Sequence, residues 1–170
     1  MTRQELRAYV KDKFKKMGYQ AQKSYLYKVF DDDYLIGFYL EPSSYVKGYA
    51  FVCGIIYLPD ELCMPFRGVF DLQWEFQFPC KPEEKLDLST YPENPKLCRV
   101  FEYEKFTLEQ LEKVFEVNYE YFMVPLLDKN YGLDIFRSNW AVFNRFDTQS
   151  ILKICQRAGI DSEKVFRYLE

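Results

Sequence analysis

The sequence predicts an α+β fold: a mainly antiparallel, four- to five-stranded sheet with an N-terminal helix, one long helix and short C-terminal helices. Three observations predict it. Apolar residues recur at helical spacing over residues 2–17, at a spacing of two within the runs between Tyr25 and Phe78, and at helical spacing again after Thr107. The 170 residues, 48 % hydrophobic and 29 % charged, suit one core. We read them as a sheet domain over 1–130 with a helical extension, 131–170, packed on the same domain.

The first helix starts at a capping box, Thr2 with Glu5, and presents Leu6, Tyr9, Val10, Phe14 and Met17 on one face. Gly18 is its expected stop. Arg3, Arg7, Lys11 and Lys15 form a basic stripe around its flank. Tyr25–Phe30 and Tyr34–Leu40 read as a hairpin joined by Asp31-Asp32-Asp33. These aspartates lack the spacing of a calcium loop and are expected to form a solvated turn. After a loop around Pro42-Ser43-Ser44 and Gly48, Tyr49–Leu58 is apolar on both faces, the pattern of a central, doubly covered strand.

Val69–Phe78 alternates cleanly. Phe70, Leu72, Trp74, Phe76 and Phe78 are assigned to the core face, and Asp71, Gln73, Glu75 and Gln77 to a wet face. Residues 79–98, with Pro79, Pro82, Pro92 and Pro95, read as a long excursion of the functional or mobile kind, and Arg99–Lys105 as a fifth strand.

The long helix opens at a second capping box, Thr107 with Gln110, and should kink or end at Pro125. Asn118 lies on its apolar stripe and is expected to be a satisfied core amide. Asp134–Phe146 reads as a short helix plus a loop. A further helix capped by Asp147 or Thr148 runs to Ala158, stops at Gly159, and is followed by a last one over Ser162–Leu169. The first helix and the long helix are expected to cover the Phe70/Leu72/Trp74/Phe76 face.

Composition excludes several function classes. There is no histidine, so triad hydrolysis and histidine-ligated metals are out. No glycine-rich phosphate loop occurs, and we assign no cofactor, metal or catalytic residue. The net charge of −3 is too mild for a dedicated nucleic-acid or membrane binder. Its distribution is uneven, because residues 1–30 hold eight Lys/Arg against Glu5 and Asp12. That segment is either a solvated face or a surface for an anionic partner. Five scattered cysteines (Cys53, Cys63, Cys80, Cys98, Cys155) without a C-x-x-C pair argue for free, buried thiols and against a disulfide framework. With no signal peptide and no apolar run of membrane length, a cytoplasmic location is expected.

Three features carry functional readings. Glu41, Asp71, Gln73 and Glu75 fall on the wet sheet face, as a binding surface or as carboxylates able to share a proton in a pocket. Residues 148–169 have the spacing of a helix-turn-helix, but the second helix offers only Lys164 and Arg167, offset by Glu163 and Glu170. A helical hairpin packed on the body is the reading taken, with DNA binding as its alternative. Finally, aromatic residues make up 19 % of the chain, with Tyr45, Tyr49, Tyr91 and Tyr131 in or beside loops. Tyrosine is enriched at protein interfaces, so part of the surplus suits a partner-binding face.

The opening Lys16-Met17-Gly18-Tyr19, followed by the aromatic strand Ser24-Tyr25-Leu26-Tyr27-Lys28, resembles an uncharacterised bacterial family, domain of unknown function 4304, over residues 1–130. The resemblance brings no catalytic residues. It implies a small α+β protein of the kind that serves as an immunity or antitoxin-like partner. The expectation is therefore a non-enzymatic protein-interaction module with an unidentified protein partner, the alternative being a small-ligand or enzymatic pocket on the sheet face.

Overall fold

The structure, a computed structural model, describes residues 1–58, 70–138 and 148–169. It has the α+β architecture expected. Helix α1 (Arg3–Lys16) is followed by β1 (Gln20–Gln22), β2 (Tyr25–Phe30), β3 (Tyr34–Pro42), β4 (Tyr49–Tyr57) and β5 (Leu72–Glu75), which pair in that order. The ribbon β6 (Phe78–Pro79) and β7 (Leu97–Cys98) precedes β8 (Val100–Phe101), which pairs with β4 beyond the end of β5. All pairings are antiparallel. Then come α2 (Leu108–Asn118), α3 (Lys129–Ser138), α4 (Thr148–Ala158) and α5 (Ser162–Leu169). Pro59, Cys63, Pro65, Val69 and the stretch 139–147, with Asp147, lie outside the described residues.

Local chemistry sets the helix ends. Both capping boxes form, Thr2 with Glu5 and Thr107 with Gln110. Gly18, at φ +82°, closes α1: its N–H donates to Lys15 O, and Tyr19 N–H donates to Phe14 O. The Phe14 and Tyr19 rings meet edge to face at 4.9 Å, the apolar contact that accompanies this stop. Gly159, at φ +68°, ends α4 in the same way. Ahead of Pro125, α2 widens into a π-turn over Tyr119–Met123, in which Val124 N–H reaches back to Tyr119 O, and it finishes as a 3₁₀ turn over Val124–Leu127. α3 begins earlier than its apolar pattern suggests, because Asp128 Oδ1 accepts from Asn130 N–H and caps it.

One sheet face carries the main core. Phe14 of α1 packs on Phe38 at 4.5 Å and on Phe115 of α2 at 5.7 Å, and Phe76 joins Phe38, Phe51, Phe115 and Phe122. Ile151, Ile154, Cys155 and Val165 of the last two helices enter the same cluster. β4 is buried along nearly its whole length, the doubly covered strand its composition predicts.

Four expectations are corrected. First, the alternation of residues 70–78 breaks at a bulge. Asp71 N–H donates to Ile55 O while Leu72 is the register partner of Ile55, so two residues stand opposite one. The slip turns Phe70 to the opposite face, where it stacks on Tyr39, and leaves Trp74 half-buried beside Tyr131 of α3. Second, the opposite face is not wet throughout, since Phe70, Leu35 and Val52 are buried. Gln77 is buried too. Third, Cys80 and Cys98 form a disulfide across the β6–β7 ribbon. The cysteine count missed it because neither residue has a local signature. Fourth, residues 79–98 are anchored: Leu86 and Leu88 are buried, and Tyr91 packs on Phe122 at 5.4 Å.

Candidate functional site

Of the four wet-face residues, Asp71 is turned inward. Asp71 is 2 % exposed. Its carboxylate accepts from Tyr57 N–H at 2.8 Å and pairs with Lys153 of α4 at 2.6 Å. Burial raises its pKa, against the opposing pull of Lys153. The residue joins α4 to the bulge and is not available to a partner. The register puts Glu41, Gln73 and Glu75 on one face: Glu41 is exposed opposite Ala50, on the other side of β4 from Glu75, which is the partner of Val52 and faces Arg99 at 3.8 Å.

The aspartate turn is likewise structural. Asp31 and Asp32 sit at φ +50° and +53°, the left-handed region that aspartate tolerates, and so close the β2–β3 hairpin. Asp33, partly exposed in the same turn, also ties it to the helices. It accepts from Arg157 at 2.8 Å and pairs with Lys129 at 3.2 Å, and these partners, Arg157 first, hold its carboxyl below the usual range. Arg157 also donates to Leu58 O and lies over the Tyr57 ring. The basic residues of α4 therefore face the body of the protein, and on α5 Arg167 pairs with Glu163. Burial pushes the thiols of Cys53 and Cys155 up, away from the reactive thiolate form.

What the structure does assemble is a basic cleft between α1 and the β1–β3 end of the sheet. Its volume is about 790 Å³. The floor is apolar: beside the buried Val10 of α1 lie Leu26, Phe38 and Leu40, of which Leu26 and Leu40 are partly exposed and Phe38 is fully buried. These three belong to one sheet face, because Leu26 is the register partner of Phe38, and Leu40 follows two residues later. Arg3, Arg7 and Lys11 line the helix side, Lys23 lines the sheet side, and no carboxylate is among the lining residues. The basic stripe supplies the first three because residues four apart share a helix face.

Local structure explains the presentation of these charges. Arg3 is held at one end: its Nε donates to Tyr49 Oη and its guanidinium lies 5.7 Å from the centre of that ring. Lys23 occupies the tight β1–β2 turn at φ +54° and is exposed there. Arg7, Lys11 and Lys23 make no ion pair among the described residues, whereas Lys13 and Lys16 of the same helix are paired with Glu116 and Asp12. Cations without counter-charge over an apolar floor can take an anion through charge and its non-polar part through burial.

Sequence reading found half of this site. The stripe was visible as a charge excess, but Lys23, Leu26 and Tyr49 join it only through the sheet register. The tyrosine surplus splits as well. Tyr45 stands 96 % exposed at the β3–β4 turn, while Tyr49 is buried against Arg3 and Tyr103. Tyr91 and Tyr131 are half-buried near Tyr121 and Trp74. Among the described residues no helix is long and apolar enough to cross a membrane. Compared with family models, with curated proteins and with solved structures, the chain matches none.

Proposed function

We propose that the protein is a non-enzymatic interaction module whose α1 cleft takes an acidic polypeptide segment of a partner protein. The observation that carries this reading is the unpaired set Arg7, Lys11 and Lys23, with Arg3 held by Tyr49, around an apolar floor in a chain of net charge −3. Charge of this kind steers an anionic partner, and the floor supplies burial once it arrives. The resemblance to the uncharacterised bacterial family, and the immunity-like role it implies, agree with such a module and enter here as part of the proposal.

The test is fluorescence anisotropy of a labelled acidic peptide, at low and moderate salt. Binding should weaken as salt screens the exposed cations, and the double change Arg7→Glu/Lys11→Glu should lower affinity by about tenfold or more. Equal affinity for an acidic and a basic peptide would exclude the reading.

A second reading, a small anionic ligand, is favoured by the cleft volume, which lies within the range of small-molecule sites. Competition by short dicarboxylates would support it. For the compartment, the Cys80–Cys98 bond favours an oxidising setting over the reducing cytoplasm that the scattered cysteines suggest.

A further inference from the structure

The helix side of the cleft sets a spacing. Arg3, Arg7 and Lys11 stand four residues apart, so they step along the α1 axis by about 6 Å each. Alternate residues of an extended chain step by about 6.6 Å and point to the same side. Over three cations the two rows stay within about 1 Å of each other along the axis, and the turn of about 40° per step around α1 is left to the reach of the arginine and lysine side chains. Consecutive acidic residues in such a chain would send every second carboxylate away from α1.

The two sides of the cleft differ in chemistry. Opposite the α1 cations, the partly exposed Leu26 and Leu40 offer apolar surface to the residues that alternate with the acids.

We propose that the occupant is an extended segment of a partner protein with carboxylates at every second residue and apolar side chains between them. This rests on the binding reading above and adds the pattern that the cleft selects. The test uses three labelled peptides of about nine residues. One alternates Glu with Val, one has the same composition with the acids in a block, and one is an alanine-based helix with Glu at every fourth position. The alternating peptide should bind about tenfold tighter than the other two, and the preference should vanish in Arg7→Glu/Lys11→Glu. If the block or the helix binds as well or better, the pattern is wrong while an acidic-peptide site stands. If none binds, or if citrate displaces the alternating peptide as effectively as its unlabelled copy does, the site is not for polypeptides and both readings fall.

Discussion

Asn118 holds Gln77 as a neighbouring strand would: its Oδ1 accepts from Gln77 N–H at 2.7 Å and its Nδ2 donates to Gln77 O at 2.7 Å. A second Nδ2 bond reaches Val114 O at 2.8 Å, and both residues are buried. The amide thereby fastens α2 to the chain just past β5, where the sheet ladder has ended. Asn118→Leu, close in volume, would strand the buried N–H and carbonyl of Gln77, whereas Val114 O keeps its helical bond. We expect it to cost about 3 kcal/mol, read as a lower urea midpoint with an unchanged slope. A loss under about 0.5 kcal/mol would show that water replaces the amide.

Gly37 and Gly54 are register partners, and together they seat the Phe70 ring. A Cβ on Gly54 would come within 2.4 Å of both Phe70 Cγ and the backbone oxygen of Leu72. The backbone atom cannot swing aside, so Gly54→Ala should destabilise by about 2–3 kcal/mol. Phe70→Ala should cost about 3–5 kcal/mol, and more than Trp74→Ala, because Phe70 is 2 % exposed and Trp74 is half-buried. The reverse order in denaturant melts would place the bulge elsewhere.

Asp33 gives stability a definite dependence on pH. Its folded pKa is depressed, chiefly by the Arg157 hydrogen bond, below an unperturbed value of 3.8. Its contribution is therefore complete well above pH 3.8 and is lost as pH falls through the folded pKa. Asp33→Asn should be less stable than the parent at pH 6, and the gap should close on acidification toward pH 3. Thermal melts of both proteins across that interval check it. A gap that stays constant would mean the ion pairs with Arg157 and Lys129 contribute nothing.

The Cys80–Cys98 bond closes a loop spanning 18 residues in sequence. Constraint of the unfolded chain at that length is worth about 3 kcal/mol, so Cys80→Ser should lower the denaturant midpoint accordingly. Alkylation of the protein as isolated, followed by mass spectrometry, should find Cys80 and Cys98 unmodified before reduction. Both thiols labelled at that stage would return the protein to the reducing compartment that its cysteine spacing suggests.

The parts of this fold legible in sequence are those set within a few residues. Thr2 with Glu5, Thr107 with Gln110, and the stops at Gly18 and Gly159 satisfy backbone groups of their own helix ends, so no distant partner is needed to read them. The bulge at Asp71 depends on Tyr57 and on Lys153, which lie far away in sequence, and perfect alternation hid it. Three of the four expected site residues kept their face, while the bulge carried Asp71 into the interior. The cleft was visible only on its helix side, because a charge stripe is periodic along one element, whereas its floor belongs to three.

The most direct test of the central claim compares two charge reversals on the same helix, each assayed for binding of the alternating acidic peptide by anisotropy. Arg7→Glu/Lys11→Glu removes charge from the cleft, and Arg3 and Lys23 remain. Lys15→Glu/Lys16→Glu makes the same change in net charge outside it. The first pair should lower affinity at least about tenfold, while the second should change it by less than about twofold. Equal losses from both would mean that the peptide responds to overall charge and that the cleft is not its site.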